Sequence, residues 1–564
     1  MKFDLLVQTF KKLELTSEKT GKINILSNFI KNLPGDNLKE TLMLILGTVF
    51  YPWEERKLGL AEKLIIRALS GISGISKEKI EEMFVKYGDL GIVAEKLSTD
   101  KKQRVIFKKD LSVKEVYETF REIGKLEGEG AIDKKVRLLS NLLMHANPLE
   151  AKYIVRLALE DLKIGVGEGI IIESIAKAYG LNPEGVEMLY SIYNDFGEVI
   201  EIIRSEGKDI FNKLSPMVGR PMRVMLAVKA ESIDEAFEIV GRPAIIEAKY
   251  DGFRVQIHND TKNILLWTRR LENVTKQFPD VISFISECLP IDKSFIIEAE
   301  IVGYDRENKK YLPFQKISQR IKRKYEIEKM VKEIPVELRI FDIIYYNGES
   351  LINKAFKERR EILEKIVNPK EGKISLSEAI LTFLNSEAKE FFDNSIKKGL
   401  EGVMFKNINA PYHPGRRVGY MVKLKPIKES LDVVIIGAEW GEGKRSGWLT
   451  SYIIAIRDEE TGELLEIGEV GSGFKEKKES PEDVTFEDMT NLLKNLIIKS
   501  EGKLVKVKPE IVIEVTYDEI QKSPKYSSGY ALRFPRFVRL RPDKSVNEID
   551  TLSRLEELYE RQKG

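Results

Sequence analysis

Cysteine is almost missing from this chain: Cys288 stands alone among 564 residues. A disulfide framework and a zinc site of four cysteines are therefore excluded, and the composition agrees with a reducing compartment. Long apolar runs are missing too. The longest, residues 42–53, is broken by Gly47 and Pro52 and falls short of the ~20 residues that a membrane-spanning helix needs. The first residues, MKFDLLVQTFKKLEL, set Asp4 and three lysines among short apolar stretches, unlike a signal peptide or an anchor. The expectation is a cytoplasmic protein with no membrane role. An excess of one charge is also lacking: 92 Lys and Arg against 90 Asp and Glu leave +2, so any affinity for a polyanion must come from local basic patches. There is no repeat at a period of roughly 20 to 50 residues and no low-complexity linker.

What is present is material for several cores. Hydrophobic residues make up 42% and charged residues 32%, which excludes a disordered chain, and charge of both signs at this density resembles a thermophile surface. The length predicts three or four domains. Residues 1–215 read as all-helical. Ser76 is a predicted N-cap, Ile80, Phe84 and Tyr87 share a face, and Gly88 ends the helix, while Asn147, Pro148 and Glu150 form a second helix start. From about residue 244 the apolar period falls to two in AIIEAKY, FRVQIHN, ILLWTRR, SFIIEAEIVGY and VELRIFDIIYY, predicting strands with helices between some of them. Over 427–564 closely spaced short strands with glycine-rich turns predict a barrel or sandwich, closed by a charged helix from about Asn547.

The densest chemistry lies in EAKYDGFR, Glu247 to Arg254. Asp251-Gly252 is a favoured hairpin dipeptide, and a hairpin there would set Lys249 across from Arg254. Glu247, Lys249, Arg254 and Gln256 would then share one face. Two cations side by side are unfavourable unless an anion such as a phosphate lies between them. A neighbouring cation also favours the neutral amine, the only nucleophilic form of lysine. Two further pairs recur at strand spacing: Glu298 with Glu300, and Lys423 with Lys425, the latter opposite Val422 and Leu424. Carboxylates suit Mg²⁺ and lysines suit phosphate.

KYDGFR, EAEIVGYD, FDIIYYNG, EGVMFK and VKLKP occur in the order of the nucleotidyltransferase motifs of ATP-dependent DNA ligases, which this chain closely resembles. The likeness continues through TRRLENVTKQFPD and ALRFPRFVRLRPDK and covers roughly residues 220–545, and the helical N-terminal third resembles the DNA-binding domain of archaeal and eukaryotic ligases. It implies a helical DNA-binding domain (1–215), an α/β nucleotidyltransferase (ATP-grasp-like adenylation) domain with antiparallel sheets (216–426), and a C-terminal OB-fold barrel with a final helix (427–564). It implies nick sealing between a 5′-phosphate and a 3′-hydroxyl, in DNA replication, repair and recombination. The cofactors implied are ATP and Mg²⁺ or Mn²⁺, and the partner is nicked duplex DNA encircled by a monomer.

Carried over residue by residue, the resemblance makes Lys249 the nucleophile that forms lysyl-AMP. Glu247 would read adenine and Phe341 would stack on it. Arg254 and Arg269 would contact ribose and phosphate, and Glu300 and Glu401 would serve ribose and metal. Arg417, Lys423 and Lys425 would hold phosphate. Arg541, Asp543 and Lys544 match an RxDK element thought to swing over ATP and orient pyrophosphate. Arg533 and Arg536 belong to a basic run suited to DNA. Gly165, Gly167 and Gly169 precede a helical stretch whose N-terminus could take a DNA phosphate, or they could form a helix connection without a ligand. Gln103, Ile106 and Phe107 resemble the short segment by which archaeal ligases dock on the sliding clamp, a PCNA-like ring, with a buried Ile-Phe pair as the alternative. The run QRIKRKYEIEKMVKE, 319–333, reads as a solvated helical face. Three competing readings are an RNA ligase or capping enzyme, an NAD-dependent ligase, and a catalytically silent DNA-binding scaffold. The long helical domain and ALRFPRFVRLRPDK speak against the first, and the single cysteine speaks against the second.

Overall fold

The computed structural model describes every residue except 55, 100–108, 213, 306, 307, 309, 313, 323, 324, 417, 427, 428, 479, 481, 482 and 564; the side chains of 208, 209, 212, 314, 315, 322 and 563 are likewise not described. The chain divides into two compact units, Met1–Lys425 and Pro426–Gly564.

The first unit begins with helices that run from Phe3 to Glu206 and end in a short 3-10 turn. Local chemistry sets their ends. The Ser76 hydroxyl accepts from the Lys79 amide and Gly88 closes that helix in a left-handed conformation at φ 67°. Asn147 and Glu150 form a reciprocal capping box with Pro148 in the first turn. The faces so aligned bury Phe3, Phe10, Phe120 and Tyr153 in one apolar core. The buried Arg156 guanidinium, held by Asp89 at 3.0 Å, joins the helices Pro148–Ala158 and Leu90–Thr99 at their polar edge.

The chain then passes through Gly219–Met225 into a domain of two sheets. In one the order is Val228–Ala230, Met421–Leu424, Gly402–Asn407, Ala244–Lys249, Ala379–Thr382; in the other, Ile264–Thr268, Phe253–Asn259, Phe295–Asp305, Val336–Tyr346, Glu349–Ser350. Neighbours are antiparallel except Val228–Ala230 on Met421–Leu424 and Ile374–Leu376 on Val336–Tyr346. Alternation places Ile246, Val403, Phe405, Val422 and Leu424 in one core, and Val255, Ile257, Ile297, Ala299 and Ile340 in the other.

The hairpin expected at Asp251-Gly252 does not form. Ala244–Lys249 and Phe253–Asn259 lie in different sheets, so Lys249 does not face Arg254; the partner of Lys249 is Gly402 and that of Arg254 is Glu300. Gly252 has no positive φ, as a hairpin turn of that type would require. Glycine is needed there for close approach: a Cβ would lie 2.3 Å from the Ile301 carbonyl oxygen. Over 319–333 the expected solvated face is present in the exposed Gln319, Glu328, Lys329, Lys332 and Glu333, but the run also turns inward: Arg320 is 1% exposed and pairs with Asp280 at 2.5 Å, and Met330 is buried.

In the second unit Ser430–Trp440 pairs with Leu449–Arg457 from Val434 to Trp440, with Val512–Thr516 over its first half and with Leu504–Val507 over its second. Breaks in register accompany its bend, so one strand serves two arms of a curled β domain. The terminal helix starts at Leu552, after a 3-10 turn at Val546–Glu548, slightly beyond the expected position.

Candidate active site

The two sheets bring together side chains that are far apart in the sequence. Ala244–Lys249 turns Ala244 and Ile246 into its core and Glu247 and Lys249 the other way. Val403 and Phe405 of the neighbouring strand point into the same core, which leaves Met404 and Lys406 on the side of Glu247. Val422 and Leu424 do likewise, placing Lys423 on that side, with Lys425 just past the strand end. The other sheet contributes Arg254 opposite Glu300 and Gln256 opposite Glu298.

Two groups of charges result. In the first, the Lys249 and Lys425 ammonium groups each donate to a different oxygen of Glu401, which immediately precedes the strand Gly402–Asn407. The Glu401 amide donates to the Lys249 carbonyl at 2.9 Å, fixing the two backbones together. Burial pushes the Glu401 carboxyl up, but Lys249 and Lys425 outweigh it and hold the group below the usual carboxylate range. Glu300, half-buried nearby, goes the other way: burial raises it to about 7 despite the pull of Lys249 and Arg254. The cation that the sequence placed beside Lys249 is thus replaced by a carboxylate.

In the second group, Glu247 is 2% exposed and receives Lys406 at 2.6 Å and Arg360 at 3.1 Å. The Lys406 ammonium lies 4.9 Å from the centre of the Phe341 ring, and the Arg254 guanidinium lies 5.2 Å from it. Arg254 itself donates to the fully buried Glu298 at 2.5 Å and to the Met225 carbonyl at 2.8 Å. The Tyr412 hydroxyl donates to Glu298 at 2.9 Å and accepts from the Met225 amide at 2.9 Å. Carboxylate, cations and aromatic ring together line a place where a planar base beside a phosphate chain would find both partners.

Of the expected site residues, Glu247, Lys249, Arg254, Glu300, Phe341, Glu401, Lys423 and Lys425 lie on the two sheets or directly at their strand ends. Arg269 is exposed on the turn after Ile264–Thr268. Arg417 and the clamp anchors Gln103, Ile106 and Phe107 lie outside the described residues. Gly165 and Gly167 lead into the helix Glu168–Tyr179 and Gly169 lies in its first turn; Gly165 is at φ 62° and its carbonyl accepts from the buried Lys22 at 3.1 Å. In the second unit, considered by itself, Arg541 and Lys544 both donate to Asp432, at 2.7 Å and 2.6 Å. Arg541 also holds Asp543, whose carboxyl its hydrogen bond lowers to about 2. Arg533 pairs with Glu519 at 3.3 Å, and Arg536 is exposed.

Sequence reasoning missed Arg360, Lys406, Glu298, Tyr412 and Asp432. Lys406 was legible as the last residue of EGVMFK, on the polar side of the alternation. Glu298 was seen as half of a pair but not as the buried anchor of Arg254. Arg360, on the helix Phe356–Ile366, Tyr412, in a loop, and Asp432 have no local signal.

Similarity to known proteins follows the same division. Residues 224–425 match the model of the ATP dependent DNA ligase domain, residues 2–176 that of the DNA ligase N terminus, and residues 445–544 that of the ATP dependent DNA ligase C terminal region. The chain belongs to the ATP-dependent DNA ligase family. Its full-length relatives include proteins named DNA ligase from Nanoarchaeum equitans, 58% identical with 100% of this chain and 99% of the relative covered, and from Thermococcus fumicolans, 43% identical over 99% and 98%. A solved structure described as Pmar-Lig_Pre. shares the fold, with a TM-score of 0.55 at 17% identity over 95% of this chain and 99% of that one. No helix among the described residues is long and apolar enough to cross a membrane.

Proposed function

We propose that this chain is an ATP-dependent DNA ligase that seals nicks bearing a 5′-phosphate and a 3′-hydroxyl, with Lys249 as its nucleophile. The observation that carries the reading is the convergence of Lys249, Lys425 and Glu401 on the sheet that also holds Glu247 and its partner Lys406, which neighbours the Phe341 ring, in a chain of this family.

The Lys249 amine attacks the α-phosphorus of ATP. The Lys249 ammonium first gives one proton to solvent; a P–N bond then forms, the bond from the α-phosphorus to the α–β bridging oxygen breaks, and pyrophosphate leaves, with the second Nζ proton passing to the pyrophosphate or solvent. Glu401, held low by two ammonium groups, is a weak proton acceptor. Lys249 therefore becomes reactive when the phosphate chain competes for Lys425 and loosens the triad. AMP then passes to the 5′-phosphate, which restores the lysine, and the 3′-hydroxyl attacks that phosphate and expels AMP. Arg254, Lys423 and Lys425 stabilise charge developing on the phosphoryl group, an electrostatic role needing little reorganisation because Arg254 is already held by Glu298.

A divalent cation, Mg²⁺ or Mn²⁺, suits the donor set. Among the described residues no group of three His, Cys, Asp or Glu forms a metal cage, while Glu300 and Glu401 are the one or two carboxylates with which Mg²⁺ commonly combines substrate phosphates. Bound there, it would neutralise phosphate charge and assist pyrophosphate departure.

Three functional parts, 1–215, 216–426 and 427–564, would bind DNA, carry AMP and close on the substrate. Gly165, Gly167, Gly169, Arg533 and Arg536 would meet the DNA backbone, and Arg269 and Arg417 the nucleotide. Arg541, Asp543 and Lys544 would orient pyrophosphate. The protein would act as a cytoplasmic monomer in replication, repair and recombination, docking on a PCNA-like clamp through Gln103, Ile106 and Phe107. The decisive test is incubation with α-labelled ATP and Mg²⁺, then mass spectrometry: AMP is expected on Lys249, and Lys249→Ala should neither take label nor seal nicks while still binding DNA. Labelling of that variant at the wild-type rate would refute the assignment.

A further inference from the structure

In the second unit, the two cations of the RPDK element are already held by carboxylates. Arg541 and Lys544 lie on the turn after the strand Arg536–Leu540, where the Lys544 amide donates to the Arg541 carbonyl at 3.1 Å. Every nitrogen of the Arg541 guanidinium donates to an acid: Nη1 to both oxygens of Asp432, at 2.7 Å and 2.8 Å, and Nε and Nη2 to Asp543, at 3.0 Å and 2.8 Å. Lys544 donates to Asp432 at 2.6 Å. We propose that Asp432 is a built-in competitor of pyrophosphate: its carboxylate takes the place of a phosphate group between Arg541 and Lys544, and it must give them up before the element can hold the leaving group.

Charge comes first. Arg541 and Lys544 are balanced by Asp432 and Asp543, the adjacent Arg539–Glu514 pair at 2.7 Å is neutral, and Asp550 adds a further acid beside Asp432. As folded, the cluster offers a polyanion no net positive charge. The contact pattern is also that of a phosphate. An arginine grips carboxylate and phosphate oxygens with the same planar fork, and here one carboxylate has both oxygens on Arg541 and shares one of them with Lys544. The side chains of Asp432 and Arg541 are only 10% and 14% exposed, so solvent screens this pair less than an open surface pair. Anchorage decides which partner moves. Asp432 sits in the strand Ser430–Trp440 opposite Glu514; its amide donates to the Asp550 carboxylate at 2.7 Å and its carbonyl accepts from the Asp550 amide at 2.9 Å. The acid is pinned to a strand, whereas the cations belong to a turn. Release therefore displaces Arg541 and Lys544, and once AMP is on the lysine, Asp432 retakes them and pyrophosphate departs.

This inference rests on the reading that Lys249 takes AMP and that the RPDK cations meet pyrophosphate, and the test separates them. Full-length protein is loaded from α-labelled ATP, freed of nucleotide, and mixed with Mg²⁺ and inorganic pyrophosphate. A pyrophosphate oxygen attacks the α-phosphorus, the P–N bond breaks, Nζ takes up protons from solvent, and labelled ATP is released. The release rate is followed against pyrophosphate concentration, alongside melting curves. Asp432→Asn keeps the shape and loses the charge. It should lower the half-saturating pyrophosphate concentration about tenfold, the scale of one charge-assisted contact, and Asp432→Glu, which restores the charge, should return toward wild type. General damage to the fold does not produce such a gain in affinity. An unchanged or raised half-saturating concentration in Asp432→Asn overturns the proposal, since an acid that merely pre-arranged the two cations would raise it. Should Asp432→Asn fail to fold, Asp432→Ser, also uncharged, decides on the same criterion. Adding Lys544→Met to Asp432→Asn should cancel the gain; a gain that survives shows that pyrophosphate does not meet Lys544 and refutes that reading. A wild-type chain that takes no label from ATP refutes the assignment of Lys249 instead.

Discussion

Lys249 and Glu401, 152 positions apart in the chain, are joined twice, by an ammonium-carboxylate hydrogen bond and by a backbone hydrogen bond at 2.9 Å. Lys425 occupies the other carboxylate oxygen, so one acid orders both cations of the proposed transfer centre. Glu401→Gln keeps the shape but offers only one acceptor oxygen. Its rate of label transfer from ATP, measured in a single turnover, is expected to fall at least about 100-fold, the usual scale for removing one electrostatic contact from such a centre. A rate above half that of wild type would show that Glu401 is dispensable.

Asp342 and Arg359 form a two-point pair at 2.8 Å and 3.0 Å, with both residues buried behind Phe341. Removing one partner strands the other charge. Arg359→Met should therefore cost roughly 3–5 kcal/mol in a urea unfolding series, far more than an exposed arginine would. A loss below about 1 kcal/mol would mean that water reaches Asp342.

His258 is 1% exposed, accepts from the Gly219 amide at 3.1 Å, and is pushed down by burial to about 3. It folds neutral, whereas the unfolded chain binds a proton below about 6.5. Stability from this site is complete above that value and is lost as pH falls toward about 3. At pH 5 the loss is about 2 kcal/mol by this linkage. His258→Asn, which can still accept from Gly219, should flatten the dependence of melting temperature on pH between 4.5 and 7. Parallel curves for variant and wild type would assign acid sensitivity elsewhere.

Arg536 is exposed on the strand Arg536–Leu540 of the second unit. If it meets a DNA phosphate, Arg536→Gln should weaken binding equally on different sequences and reduce the slope of log affinity against log salt by about one. An unchanged slope in a filter-binding or anisotropy titration would remove it from the interface.

Much of the architecture was legible because burial repeats at a fixed period. Capping at Ser76 and Asn147, the strands around Lys249, Glu298 and Lys423, and the close strands after Pro426 are all written in local spacing. The proposed nucleophile was legible for a different reason, the order of motifs around KYDGFR. The partner of Lys249 was misjudged: a local rule paired it with Arg254, because Asp251-Gly252 reads as a hairpin when its neighbours are ignored. The backbone of Ile301, 2.3 Å from a would-be Cβ, explains that glycine and lies 49 residues downstream.

The sequence by itself determined which segments become helices and strands, which face of each is apolar, and which reactive residues appear, since these depend on contacts within a few residues. Only the tertiary structure decided that Glu401 meets Lys249, that Arg360 and Lys406 meet Glu247, and that Tyr412 and Glu298 brace Arg254. Those pairings join elements whose register is set by packing two cores at once, and a charge buried by one element is satisfied by whichever distant side chain that packing delivers.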